Sequence, residues 1–139
     1  MNLRKLVLPV LAAAAMVFAG CSDEPAAIID TYYVDIDPGE WSRQSDMGYY
    51  YCEKSLPAIS QGVIEYGAVF CYFIDEYGYD NLMPYLYPYY DADGGLFWQN
   101  IRYDVSQGKI TFIIQESDMY TEGSINARMK FKVSVMYNR

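Results

Sequence analysis

The clearest pattern in the chain lies near its end. Met129, Phe131, Val133 and Val135 alternate with Lys130, Lys132 and Ser134. A period of two puts the apolar set on one face of a β-strand and the polar set on the other. Ile110, Phe112 and Ile114 alternate in the same way with Lys109, Thr111 and Ile113. Across 96–105, Phe97, Ile101 and Tyr103 fall on one face and Trp98 on the other. Over 68–74 both alternating sets are apolar, which predicts a central strand covered on both sides. Residues 31–37 and 49–52 are rich in tyrosine and β-branched residues and read as two further strands. The stretch 82–90 is extended and aromatic, but Pro84 and Pro88 each lack a backbone donor, so this strand belongs at a sheet edge.

The punctuation between these runs is short. Pro38-Gly39, Asp91-Ala92-Asp93-Gly94-Gly95 and Ser106-Gln107-Gly108 are turn signals, and 116–126 is a polar loop. A helical turn fits only over 59–66: Ser60 can cap it, Ile59 and Val63 share a face, and Gly67 ends it. About seven strands with close-set turns predict an all-β fold, a single antiparallel β-sandwich of immunoglobulin-like architecture. A small barrel is the alternative.

The N-terminus breaks the pattern. Arg4 and Lys5 precede an apolar run from Leu6 to Phe18, shorter than the roughly 20 residues a bilayer span needs. Ala19-Gly20-Cys21 follows. Positive residues, a short apolar run and small residues before a cysteine resemble a bacterial lipoprotein signal, in which Cys21 becomes the acylated first residue of the mature chain. The expected organisation is a signal peptide over 1–20, a lipidated cysteine and tether over 21–30, and the sandwich over 31–139. Serine rather than aspartate after the cysteine resembles the sorting signal of outer-membrane lipoproteins. Ser22-Asp23-Glu24 is similar to the acidic export tract of surface lipoproteins of Bacteroidetes. The expected location is therefore the outer membrane, exposed at the cell surface or else facing the periplasm.

Charge narrows the partners. The chain has 10 Lys+Arg and 18 Asp+Glu, and losing Arg4 and Lys5 with the signal takes the net charge from −8 to −10. That sign disfavours nucleic acid and anionic membrane surfaces. Beyond Cys21, two cysteines remain, Cys52 and Cys71. An oxidising compartment permits a disulfide between them, and two separate buried thiols fit equally well.

Composition also limits chemistry, because there are 16 tyrosines and no histidine. Without histidine there is no Ser-His-Asp triad, no Cys-His pair and no imidazole ligand for zinc. Carboxylates are plentiful, but no motif pairs two across a cleft as a glycosidase requires. Asp91 and Asp93 have the spacing of the first calcium ligands in a loop, yet the closing glutamate is missing, and a plain turn is the better reading. Neither an enzymatic activity nor a cofactor is expected. The strongest candidate surface is aromatic. Tyr85, Tyr87 and Tyr89 share one face of a strand, with Tyr90 and Trp98 close by. Such residues suit a protein interface, stacking on sugar rings, or covering the sandwich core.

The layout resembles small Bacteroides-type lipoproteins with an immunoglobulin-like sandwich. The resemblance rests on the signal and on Tyr49-Tyr50-Tyr51, Gly67-Ala68-Val69, Met83-Pro84-Tyr85, Gly108-Lys109-Ile110 and Phe131-Lys132-Val133. It implies the fold and location given above and no activity. The expected function is a non-catalytic binding or assembly module of the cell envelope, using a tyrosine-rich surface. Two alternatives are a glycan-binding accessory protein of a polysaccharide-uptake system and an adhesin-type structural subunit that pairs through a free strand edge.

Overall fold

The computed structural model describes residues 26–90, 92–119 and 125–138. Cys21 and Asp91 lie outside the described residues. Among the described residues nine strands form two antiparallel sheets packed as a sandwich: β1 (Ala27–Ile36), β2 (Ser42–Gln44), β3 (Tyr49–Ser55), β4 (Ala68–Ile74), β5 (Asp80–Leu82), β6 (Tyr85–Tyr90), β7 (Leu96–Ser106), β8 (Lys109–Glu116) and β9 (Met129–Asn138). The first sheet runs β1-β9-β4-β5 and the second β2-β3-β8-β7-β6. The all-β sandwich is the fold expected, with nine strands rather than seven. The first strand pairs with the last along ten residues.

The core follows from the alternation. Met129, Phe131, Val133 and Val135 of β9 are buried, as are Ile110, Phe112 and Ile114 of β8. Phe112 and Phe131 meet across the sandwich with ring centroids 4.2 Å apart. Phe73 extends this stack, touching Phe131 at 5.9 Å and Tyr85 at 6.0 Å. Tyr103 reaches from one sheet to the other, its hydroxyl donating to the Val69 carbonyl at 2.8 Å. The β7–β8 hairpin closes on Gln107-Gly108, with Gly108 at φ 75, a conformation that favours glycine. Gly108 also accepts from Leu56 and donates to Ile59, so the hairpin pins the chain entering the helix.

That helix, α1 (Gln61–Tyr66), forms as expected: the Ser60 hydroxyl accepts from the Val63 amide, and Gly67 closes it. Val63 and Ile59 face the core. A Cβ at Gly67 would collide with the Met136 carbonyl, so α1 docks against β9 because residue 67 has no side chain.

Two expectations need correction. The stretch 82–90 is not one strand: the chain passes from the first sheet to the second at Met83-Pro84, a cis peptide, so β5 and β6 belong to different sheets. Its edge position was read correctly, because β6 ends the second sheet and Pro88 lies on it. β4 is not covered on both faces, since Cys71 is buried while Phe70 is exposed on the outer side. β2 and β5, each of three residues, carry too few alternations to show a period. Ile113 does point away from the core, yet it is buried. It lies between Tyr51 and Arg102 on the outer face, beside an edge-to-face Tyr49–Tyr51 pair and a guanidinium 6.0 Å from the Tyr49 ring.

Candidate functional site

Register decides where the aromatic residues go. Tyr85 pairs with Ile101, which is buried, so Tyr85, Tyr87 and Tyr89 all project from the inner face of β6. Tyr90 and Trp98 project from the outer face. The five residues expected to make one surface therefore stand on two sides of the sheet.

The inner row is largely structural. Tyr85 packs on the core. Tyr89 stacks on Phe97 at 5.8 Å, and its hydroxyl donates to Glu116 Oε2 at 2.7 Å. Gln99 Nε2 donates to the other oxygen, Oε1, at 2.8 Å, so one carboxylate ties together β6, β7 and β8. Tyr87 alone in this row stands out into solvent, at 45% exposure.

The outer side is different. Trp98 lies opposite Pro88, and Leu96 opposite Tyr90, with Leu86 one step further along β6. Tyr90 is 73% and Trp98 44% exposed, and Leu86 and Leu96 are exposed as well. The result is a flat apolar patch along a sheet edge. Its geometry is held by the Trp98 backbone, which receives the Ser117 amide at 2.8 Å and donates to the Ser117 hydroxyl at 3.1 Å.

The loop between β4 and β5 adds two more exposed rings, Tyr77 and Tyr79. Asp75 Oδ1 accepts from the Tyr77 amide at 3.0 Å and from the Tyr79 amide at 2.9 Å. The Tyr79 amide foremost, with help from the Asn81 side chain, holds the Asp75 carboxyl below its ordinary range. The outer face of the first sheet presents Ile29, Tyr33, Phe70 and Leu82. There Lys132 sits 4.3 Å over the Tyr72 ring and pairs with Asp80.

Sequence reasoning missed a groove at the opposite corner of the molecule. It runs between the start of β1, helix α1 and the end of β9, has a volume of about 460 Å³, and is open to solvent. Tyr32, Tyr66 and Tyr137 line it with Asp30, Ser60 and Asn138. The Tyr137 hydroxyl donates to Asp30 Oδ2 at 3.0 Å and fixes that carboxylate. The hydrogen-bonded pair is 107 positions apart in sequence, and nothing in local spacing joins its two members.

Cys52 and Cys71 are both buried and unbonded, one in each sheet. Burial pushes the Cys71 thiol up to about 12, and it raises Cys52 as well, so neither offers a ready thiolate. Asp93 is exposed in the β6–β7 turn, and among the described residues no three His, Cys, Asp or Glu side chains gather as metal ligands. Comparison with protein-family models, with curated proteins and with solved structures finds no match.

Proposed function

We propose that the chain is a cell-envelope lipoprotein, held on the outer membrane by an acylated Cys21, and that its sandwich is a non-catalytic binding module. The observation that carries the reading is the patch of Leu86, Pro88, Tyr90, Leu96 and Trp98, placed on the outer face of an edge-strand pair. The core is complete without it, filled by Phe112, Phe131 and their aliphatic neighbours. Exposed apolar area forgoes about 25 cal/mol per Å², so a contiguous patch persists where a partner covers it. Tyrosine and tryptophan also bring large contact area at low entropy cost.

Two measurements test this. Expressed with its signal intact, the chain should incorporate labelled fatty acid and fractionate with membranes. Cys21→Ser should lose both, and a chain that stays soluble with Cys21 present sinks the anchor. Cross-linking on intact cells should join the chain to a distinct surface partner, and Trp98→Ala with Tyr90→Ala should abolish that product. An unchanged product would rule the patch out as the binding surface.

A second reading, a subunit assembled through strand pairing, is favoured by β1. Three of the four sheet edges are short or carry proline: β2 and β5 have three residues each and β6 contains Pro88. β1 runs for ten residues as an edge without proline, glycine or lysine, the residues that usually blunt such edges.

A further inference from the structure

From the groove between β1, α1 and β9 we infer a carbohydrate-binding site whose ligand is a neutral oligosaccharide. The inference rests on the binding-module reading but not on the β6–β7 patch. A volume of about 460 Å³ lies within the range of ligand sites, roughly 300–1,000 Å³. The groove is partly open to solvent, which leaves room for a ligand that extends beyond it.

The lining selects the chemistry. Tyr66 supplies an exposed flat face suited to the C–H face of a pyranose ring, while Tyr32 and Tyr137, half-buried against the core, line the groove beside it and add hydroxyl oxygens. Tyr66 is 82% exposed at the end of α1, a large ring held in water beside the groove. Asp30 is anchored by one hydrogen bond from Tyr137 and keeps further lone pairs for sugar hydroxyls. The Ser60 oxygen accepts from the Val63 amide, which leaves its O–H to donate, and the Asn138 amide does both. Among the described residues no lysine or arginine lines the groove, so phosphate, sulfate and uronate groups meet no counter-charge from them. Ala58 and Val63 also line the groove, but burying the Asp30 carboxylate under a lipid chain would cost it its hydration. A quaternary ammonium would favour aromatic faces near a carboxylate, but an open groove does not enclose so small a cation.

Gly62 makes the test clean. It lines the groove from within α1, and a Cβ there would meet only the Ser60 hydroxyl oxygen, at an ordinary 3.7 Å. Gly62→Gln puts a long side chain at the groove while removing a helix-weakening glycine.

The full chain, purified in a detergent without a sugar headgroup, would be applied to an array of neutral glucans, mannans, xylans and galactans, with choline and acidic oligosaccharides as further arms. The expected result is binding to a subset of the neutral chains. Tyr66→Ala and Asp30→Asn should each weaken it about tenfold or more. Gly62→Gln should weaken it similarly while raising Tm, which separates occlusion from misfolding. Trp98→Ala should leave it unchanged. No neutral glycan bound, choline or an acidic chain bound in preference, or neutral binding untouched by Tyr66→Ala and Gly62→Gln would each overturn the assignment. Sugar binding lost on Trp98→Ala instead would move the ligand to the β6–β7 patch, overturning the groove while keeping the module. A surface cross-link without sugar binding would do the same.

Discussion

The patch on β6–β7 and the groove beside α1 use the same residue types to different ends. In the patch, Tyr90 and Trp98 stand among Leu86, Pro88 and Leu96 on an exposed sheet face, with Asn100 opposite Leu86 at its border. In the groove, Tyr32, Tyr66 and Tyr137 share the lining with the Asp30 carboxylate, to which Tyr137 already donates. A flat apolar face gains by excluding water against another protein. A concave face with fixed donors and acceptors gains by replacing a sugar's hydration with directed hydrogen bonds. A third use is that of Tyr85 and Tyr89, whose rings pack within the fold, with the Tyr89 hydroxyl bonded to Glu116 as well. Being tyrosine on a strand decides none of this; what each ring meets does.

Perturbing each region alone should separate them. The largest effect is expected at Gly67. Alanine there would drive its Cβ into the Met136 carbonyl and against Val63, backbone that cannot swing aside. A cost of about 1–3 kcal/mol in urea unfolding is expected, with α1 displaced and ligand binding at the groove lost, while cross-linking through the β6–β7 patch persists. Tyr89→Phe addresses the other end. It removes the hydrogen bond to Glu116 but keeps the stack on Phe97, and should cost about 1–2 kcal/mol, with groove binding unaltered. Ser60→Ala removes the cap of α1 and should cost about 1 kcal/mol, read as a lowered Tm with a modest loss of groove affinity.

The smallest effect is local. Because the folded state lowers the Asp75 pKa below 3.8, its contribution is present above that value and is lost as pH falls through the folded value. The protection of the Tyr77 and Tyr79 amides, measured against their intrinsic exchange rates, should fall in acid before the sandwich unfolds, and Asp75→Ala should remove it at neutral pH. Protection that survives in Asp75→Ala would show that the loop is ordered by something else.

How far the sequence could be read follows from the range of each interaction. β9 and β8 were legible because a sheet buried on one face writes a period of two into consecutive residues. The β7–β8 hairpin and α1 were legible because Gly108, Ser60 and Gly67 act within one turn. The split at Pro84 was not, since 82–90 is uniformly extended and aromatic and the change of sheet depends on which strands wait on either side. Period two placed Tyr85, Tyr87 and Tyr89 on one face correctly but could not say which. Pairing with Ile101 made it the inner one. The groove was invisible for the same reason at larger scale, because β1, α1 and β9 meet only through the pairing of the first strand with the last.

The most direct test of the division is to watch the tyrosines themselves. With ring-labelled tyrosine in the full chain and assignment by single Tyr→Phe substitution, the neutral oligosaccharide that binds most tightly would be titrated in by NMR. The account predicts shifts at Tyr32, Tyr66 and Tyr137, with Tyr85, Tyr87, Tyr89 and Tyr90 unmoved. Shifts confined to Tyr87, Tyr89 and Tyr90, with the groove rings silent, would contradict it.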